Sequence, residues 1–92
     1  MKVDIVTPEG ALFSGEVDSI VVPGVNGSFE MLNNHAPIIA VLQKGDVRLK
    51  GQGILIDNEL KDKFEIKQGE VILPINSGTV EMKNNNVIIL AE

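Results

Sequence analysis

The sequence predicts an all-β protein of one domain over residues 1–92, a flattened sandwich of antiparallel sheets. Two observations support this fold class. Apolar and polar residues alternate with a period of two along almost the whole chain, as in strands that are buried on one face. Clusters of Gly, Pro and Asn interrupt the alternation at short intervals, as turns do. Nine or ten short strands with such turns are typical of a sandwich.

The first strands are separated by specific turn residues. Val3 and Ile5 share one face of the first strand, and Thr7-Pro8-Glu9-Gly10 has the residue types of a β-turn. Residues 16–18 alternate again. The run 20–22 is apolar on both faces, so this strand is either covered on both sides or bulged. Helical structure is excluded from there to residue 37, because Pro and Gly recur too often.

The later strands repeat the same alternation. Their inward-facing residues are Phe29 with Met31, Val47 with Leu49, Phe64 with Ile66, Val71 with Leu73 and Ile75, and Val80 with Met82. The three asparagines at 84–86 then predict a turn, because Asn tolerates left-handed conformations and bonds its own backbone. A last strand follows over residues 87–90. Together these segments account for the second half of the sandwich.

One segment, residues 57–63, leaves two alternatives open. Ile56, Leu60 and Phe64 are spaced four apart, and Asn58 has the side chain of a helix cap, which favours a short helix. Phe64 also fits the strand that follows, which favours a turn. The sequence does not separate a short helix from a turn here.

Composition restricts the classes of partner. The net charge is −5, and the chain has no Cys, Trp or Tyr. Nucleic-acid binders usually show a basic stripe and stacking aromatics, so neither nucleic acid nor an anionic lipid surface is an expected partner. Without Cys there is neither a disulfide nor a thiolate metal site. We also expect no signal peptide and no transmembrane segment, because the longest apolar runs are far shorter than a bilayer span.

Residues with catalytic chemistry are scarce. His35 is the one histidine, and it has neither a nucleophile motif nor a second His beside it, so fixing a turn or docking a partner is the expected role. The run from Gly24 to Gly27 lacks the Gly-Lys-Ser/Thr ending of a phosphate loop. We therefore predict no catalytic residue, no metal, no cofactor and no small-molecule ligand. Binding to other proteins is the remaining function.

Two segments resemble the epsilon subunit of F-type ATP synthases, which is called delta in mitochondria. The first spans residues 1–45, and the second comprises residues 77–82 and 86–92. The residues that carry the resemblance are Val3-Asp4-Ile5-Val6-Thr7-Pro8-Glu9-Gly10, Phe13-Ser14-Gly15-Glu16-Val17, Val22-Pro23-Gly24, Gly27-Ser28-Phe29, Asn34-His35-Ala36-Pro37, Lys44-Gly45 and Ser77-Gly78-Thr79-Val80-Glu81-Met82.

The resemblance implies ten strands in two five-stranded sheets and a non-catalytic subunit of the rotor. Such a subunit binds the gamma shaft and the c-ring, and couples rotation to ATP synthesis. It would lie at the cytoplasmic face of the bacterial plasma membrane, attached only through the complex. The ring-facing loop maps to Asn26, Gly27, Ser28, Glu30 and Met31, and the shaft-facing surface to Thr7, His35 and the neighbourhood of Ile38 to Ala40.

The sequence departs from the family pattern at three places. Some relatives have a carboxylate at the position of Ser28 and many have Gly at that of Glu30, so Glu30 is the expected acidic contact to the ring. Residues 50–68 are longer than the usual hairpin. The sequence stops at Glu92 on the final strand, so we expect neither rotor braking nor nucleotide sensing from it.

Two other function classes fit the sequence less well. A stand-alone sandwich that binds a small ligand or a sugar normally uses aromatic platforms, and Phe13, Phe29 and Phe64 are the only aromatic residues. A small hydrolase needs a nucleophile with an activating partner, which the sequence lacks. An apolar patch on one sheet face, with His35 near its rim, would favour the rotor subunit.

Overall fold

The computed structural model describes residues 1–92 and contains ten strands and one short 3₁₀ helix. The elements in order are β1 (Lys2–Thr7), β2 (Gly10–Glu16), β3 (Ser19–Gly24), β4 (Gly27–Leu32), β5 (Ile38–Leu42), β6 (Gly45–Lys50), the helix (Asn58–Lys63), β7 (Glu65–Lys67), β8 (Glu70–Ile75), β9 (Gly78–Lys83) and β10 (Asn86–Ala91). The all-β prediction is therefore confirmed. No helix of the structure is long and apolar enough to cross a membrane.

The ten strands form one sheet with two five-stranded halves. One half has the order β2-β1-β10-β9-β5, and the other has the order β4-β3-β6-β8-β7. The halves meet at one residue pair, Gly24 with Leu42. Two backbone hydrogen bonds flank that pair, from Val25 N to Val41 O at 3.0 Å and from Gln43 N to Pro23 O at 2.8 Å. This narrow bridge makes a sandwich out of a single curled sheet.

One strand pair differs from the antiparallel prediction. β1 and β10 run parallel, with Val3 beside Val87 and Ile5 beside Ile89. All other pairs are antiparallel, so the sheet is mixed. A tight turn forces an antiparallel pair, but β1 and β10 are the first and last strands and share no turn. Their relative direction is set by packing of the two inner faces.

The core lies between the inner faces of the two halves. Its fully buried side chains come from alternate strand positions, as the period of two predicts: Val3, Ile5, Ile20, Val22, Met31, Val47, Leu49, Val80, Val87 and Ile89. Val21 is half-buried on the outer face of β3, and the pairing of β3 with β4 has no irregularity. The bulge that the apolar run allowed in β3 is therefore absent, and the irregular register lies between β1 and β2 instead.

Two local predictions are resolved by backbone geometry. Asn84 and Asn85 have φ values of 52° and 60°, so the turn between β9 and β10 uses the left-handed conformation expected of Asn. Residues 57–63 form a helix, but its cap is Asp57, whose Oδ1 accepts a hydrogen bond from Glu59 N at 3.0 Å. This corrects the assignment of the cap to Asn58.

The long connection from residue 50 to residue 68 packs on the core in part. Ile54, Ile56 and Phe64 are half-buried against the core cluster, whereas Leu55 between them is exposed. No residue of the helix itself is buried. The segment therefore contributes three apolar side chains to the sandwich and leaves the outer faces of the strands open.

Candidate partner-binding surface

The outer face of β5, β9, β10 and β1 carries a continuous set of exposed apolar side chains. Cross-strand register places Val41, Thr79, Leu90 and Val6 in one row, and Ile39, Glu81, Ile88 and Asp4 in the next. The exposed fractions are 78% for Ile39, 58% for Val41, 54% for Leu90 and 46% for Ile88. We call these eight residues the apolar face. Contiguous exposed apolar surface of this kind usually marks an interaction site.

The sequence contains a signal for this face that the alternation does not capture. β5 is Ile-Ile-Ala-Val-Leu, and the middle of β10 is Val-Ile-Ile-Leu, so both strands are apolar on both sides. Strands with one wet face normally alternate with polar residues. A strand that is apolar on both sides therefore has a second face suited to contact with another apolar surface. Ile39 lies within the predicted neighbourhood of residues 38–40, whereas Val41, Ile88 and Leu90 were accessible to sequence reasoning on this ground but are absent from the site residues predicted above.

One end of the apolar face is a hollow with mainly apolar walls. Its volume is about 600 Å³, and its lining includes Val6, Thr7, Pro8, Val41 and Leu90. Thr7 closes the turn between β1 and β2, because its hydroxyl donates to Gly10 O at 3.1 Å and accepts from Glu9 N at 3.3 Å. Thr7 thus lies at the edge of this surface, and its hydroxyl is already used within the turn.

The other end of the apolar face has a second, more polar hollow. It measures about 450 Å³ and is lined by Pro37, Ile38, Ile39, Glu81, Met82 and Lys83. Since β9 is shared by both hollows, the two lie along the same outer surface. The face therefore offers two depressions to a partner, and the second contains both Glu81 and Lys83.

Charges are distributed unequally over the two outer faces. On the β4-β3-β6-β8-β7 half, Lys50 Nζ lies 3.5 Å from Glu30 Oε2 and 4.0 Å from Glu70 Oε2, and Arg48 lies 3.7 Å from Glu70 Oε1. The remaining ion pair joins the Met1 amine and Glu16. Asp4 and Glu81, both on the apolar face, belong to no ion pair. Three of the four ion pairs thus lie on one half, while the apolar face carries two carboxylates, Asp4 and Glu81, that form none.

The predicted ring-facing residues fall into three structural situations. Asn26, Gly27 and Ser28 are exposed at the tip of the β3–β4 hairpin. Glu30 is exposed one strand position beyond, with Lys50 as its ion partner. Met31 is fully buried. The structure therefore corrects the assignment of Met31, because a side chain that packs in the core has no surface to offer a partner.

The hairpin tip is closely packed around glycines. A side chain at Gly24 would place its Cβ 2.8 Å from the Gly27 carbonyl oxygen and 3.0 Å from the Phe29 ring. Gly27 has φ +121°, a conformation that other residues rarely adopt. The shape of the tip is thus set by its backbone, and Asn26 and Ser28 are held outward on it.

The predicted shaft-facing residues of β5 do not form its exposed surface. Ile38 and Ala40 are half-buried against the core, while their neighbours Ile39 and Val41 point outward. The exposed positions of β5 are therefore one residue away from the predicted ones, and a shift of one residue in a strand corresponds to the opposite face.

His35 lies at the end of the sandwich opposite Thr7. Its loop is fastened to the β9–β10 turn by a hydrogen bond from Asn34 N to Asn85 Oδ1 at 2.7 Å. Thr7 lies beside the other end of β10, one position past Val6, the partner of Leu90. Six strand residues separate these ends by roughly 17 Å. The half-buried imidazole donates from Nδ1 to Ala36 O at 2.7 Å, which stiffens its own loop. His35 thus lies toward the end of the apolar face that contains Glu81.

Comparison with known proteins gives consistent results. A family model described as the beta-sandwich domain of the ATP synthase delta/epsilon chain matches residues 1–92. The ATP synthase epsilon chain of Chlorobium limicola is 37% identical over 91 residues, which are 99% of this chain and 88% of that protein. The epsilon chain of Leptospira interrogans is 40% identical over 94 residues, covering all of this chain and 61% of that protein.

A solved structure has the same fold. It is a chain in the cryo-EM structure of the central stalk and c-ring of Tetrahymena thermophila mitochondrial ATP synthase, with a TM-score of 0.74 and 17% identity. The superposition covers 99% of this chain and 62% of that one. The chain thus spans about three fifths of the Tetrahymena and Leptospira proteins and most of the Chlorobium one.

Proposed function

Because this chain belongs to the ATP synthase delta/epsilon family, matched over its beta-sandwich domain, we propose that it is a non-catalytic rotor subunit of a proton-translocating F-type ATP synthase. It binds the gamma shaft and the c-ring, and couples rotation of the ring to ATP synthesis. It lies at the cytoplasmic face of the bacterial plasma membrane and reaches the membrane only through the complex. Residues 1–92 act as one rigid β-sandwich unit.

The observation that supports this function is the apolar face. Four large aliphatic side chains, Ile39, Val41, Ile88 and Leu90, are about half exposed or more on neighbouring strands. Fully burying an exposed side chain of this size contributes about 1.5–3 kcal/mol, and covering a half-exposed one contributes about half of that, so a partner that covers all four gains binding energy from each. We assign this surface to the gamma shaft. A packed sandwich is suited to this role, because its interior resists deformation under torque.

The β3–β4 hairpin is assigned to the ring. Asn26, Gly27 and Ser28 project from its tip, and Glu30 supplies a carboxylate toward a basic loop of the ring. The tip and the apolar face adjoin through Val25 and Val41, so the two partners would meet at one end of the sandwich. Met31 supports the hairpin from within the core and makes no contact with the ring.

The test is reconstitution with the gamma subunit and the c-ring. The double variant Ile39→Ser with Leu90→Ser removes the centre of the apolar face and should abolish co-purification. The matched control is Leu55→Ser with Ile66→Ser, since these side chains are 85% and 72% exposed but lie outside the face. Retention of binding by the first pair, or equal loss in both pairs, would contradict the assignment. A thermal shift with a small ligand and no protein partner would instead favour a ligand-binding sandwich.

A further inference from the structure

Glu81 is an unpaired carboxylate inside the apolar face. In the cross-strand register it lies between Ile39 on β5 and Ile88 on β10, both of which are exposed. None of the ion pairs of the structure includes it. A partner that covers the two isoleucines must also cover this carboxylate. Removing a charge from water without a counter-charge is strongly unfavourable, so the partner must supply one.

A second carboxylate lies in the same row. Asp4 on β1 is the register neighbour of Ile88, on the side away from Glu81. Two strand spacings separate Asp4 from Glu81, which is about 10 Å. Asp4 is also absent from the ion pairs. A cation that rests on the Ile88 side chain would have a carboxylate on each side.

The hollow beside Glu81 has the form that a long basic side chain requires. Pro37, Ile38 and Ile39 provide apolar walls for an aliphatic stem, and Glu81 provides the acidic group for its head; Lys83 lines the same hollow but forms no ion pair with Glu81. Lysine and arginine commonly bury their methylene stems and keep the charged group at a polar edge. The hollow thus matches a Lys or Arg side chain in both apolar and charged parts.

The nearest cations of the chain do not neutralise this site. Lys83 and Lys2 occupy the next outward positions on β9 and β1, beside Glu81 and Asp4 respectively. Neither amine forms an ion pair with a carboxylate.

We propose that the subunit bound to the apolar face inserts a lysine or arginine side chain into the hollow beside Glu81, so that Glu81 determines which partner surface is accepted. The inference rests on the proposed function, since it specifies the chemistry of the shaft surface that covers this face. Ile39 and Ile88 supply apolar contact, and Glu81 selects a basic group among apolar surfaces of similar shape. Asp4, on the far side of Ile88, adds a second negative charge that attracts the same basic group.

The test measures affinity for the ATP synthase complex from which this subunit has been removed. The chain has no cysteine, so a Gln52→Cys variant in an exposed loop accepts a single fluorophore. Glu81→Gln should lower the affinity about tenfold, as expected for loss of a hydrogen bond to a charged group. Glu81→Lys should lower it about a hundredfold or more, because two cations would then share the hollow.

The matched control is Glu65, an exposed carboxylate on β7 that also lacks an ion pair. Glu65→Lys changes net charge as Glu81→Lys does, and we expect its affinity within twofold of the parent. Thermal unfolding of all variants verifies that each is folded. Raising the salt concentration from 50 to 300 mM should lower the affinity of the parent more than that of Glu81→Gln, since only the parent has the charged contact.

The outcomes separate this inference from the proposed function. If Ile39→Ser weakens binding while Glu81→Gln and Glu81→Lys do not, the face is the docking surface and the basic side chain is absent. If neither Ile39→Ser nor the Glu81 variants change the affinity, both proposals fail. If Glu65→Lys weakens binding as much as Glu81→Lys, net charge is responsible and the specific site is overturned.

Discussion

The backbone amide of Val25, at the tip of the β3–β4 hairpin, donates to the carbonyl oxygen of Val41 on β5 at 3.0 Å. This hydrogen bond lies at the bridge between the two halves of the sandwich. Both side chains are largely exposed. The hairpin that we assign to the ring therefore continues the apolar surface that we assign to the shaft, and Val25 belongs to both.

A first prediction concerns this shared residue. Val25→Ser should weaken binding of the isolated gamma subunit about threefold to tenfold even without the ring, because a half-exposed valine loses about 1 kcal/mol of burial. Titration of the labelled chain with gamma measures the change. Asn26→Ala, one residue farther along the same tip, should leave this affinity unaltered. An equal effect of both variants would show that the whole tip, and not Val25, contacts the shaft.

A second prediction uses the ion pair between Glu30 and Lys50, whose atoms lie 3.5 Å apart. Lys50 competes with any basic group of the ring for the Glu30 carboxylate, and it has Glu70 as a second partner at 4.0 Å. Glu30→Lys should therefore weaken ring binding, while Lys50→Gln should strengthen it about twofold to fivefold, in keeping with the strength of exposed pairs. Affinity for purified c-ring reports both changes.

The informative part of that result is that the two substitutions should change the affinity for the ring in opposite directions. Both substitutions remove the same exposed pair, so both should lower stability by less than about 1 kcal/mol. Unfolding alone would shift both affinities in the same direction. Unchanged ring binding and proton pumping in Glu30→Lys would refute the acidic contact.

A third prediction separates the core from the ring-facing residues. Met31→Ala should lower the free energy of unfolding by about 2–5 kcal/mol, because the side chain is fully buried between the two halves. Urea titration measures this loss. Ser28→Ala, at the exposed tip of the same hairpin, should leave stability nearly unchanged. At temperatures where the variant stays folded, Met31→Ala should bind the ring as the parent does; weaker binding by the folded variant would argue for direct contact.

A fourth prediction concerns the close approach of β9 and β10. A Cβ at Gly78 would lie 2.4 Å from the carbonyl oxygen of Leu90, a backbone atom that cannot move without shifting the strand pair. Gly78→Ala should therefore cost about 3 kcal/mol or more. Gly69→Ala is the control, because Gly69 has open space but φ +79°, for which about 1–2 kcal/mol is expected. Similar unfolding free energies for the two variants would contradict this account.

Most of the inner face could be predicted from the sequence. Alternation identifies Val47 with Leu49, and Val80 with Met82, and all four are buried, whereas Ile66, which alternation also placed inward, is 72% exposed. The asparagine turn between β9 and β10 also follows from local chemistry, because the left-handed preference of Asn needs no distant contact. These features share one property, since each depends on residues within a few positions along the chain.

The candidate site was less predictable. Ile38 and Ala40 were expected at the shaft, yet Ile39 and Val41 carry the exposed surface. In an all-apolar strand such as β5, no polar residues alternate with the apolar ones. The local pattern therefore does not show which face of the strand is inward. The neighbours of Glu81 are equally inaccessible, because Ile39 and Ile88 come from strands that are far apart in sequence.

The amino-acid order by itself determined where the chain forms strands and turns, which alternate residues enter the core, and which family the chain resembles. Tertiary structure decided the parallel pairing of β1 with β10, the assembly of the apolar face, and the position of Glu81 between Ile39 and Ile88. The physical reason is the distance along the chain over which each kind of interaction acts. Side-chain alternation and turn preference act over a few bonds, whereas strand neighbours and registers are chosen when distant inner faces pack together.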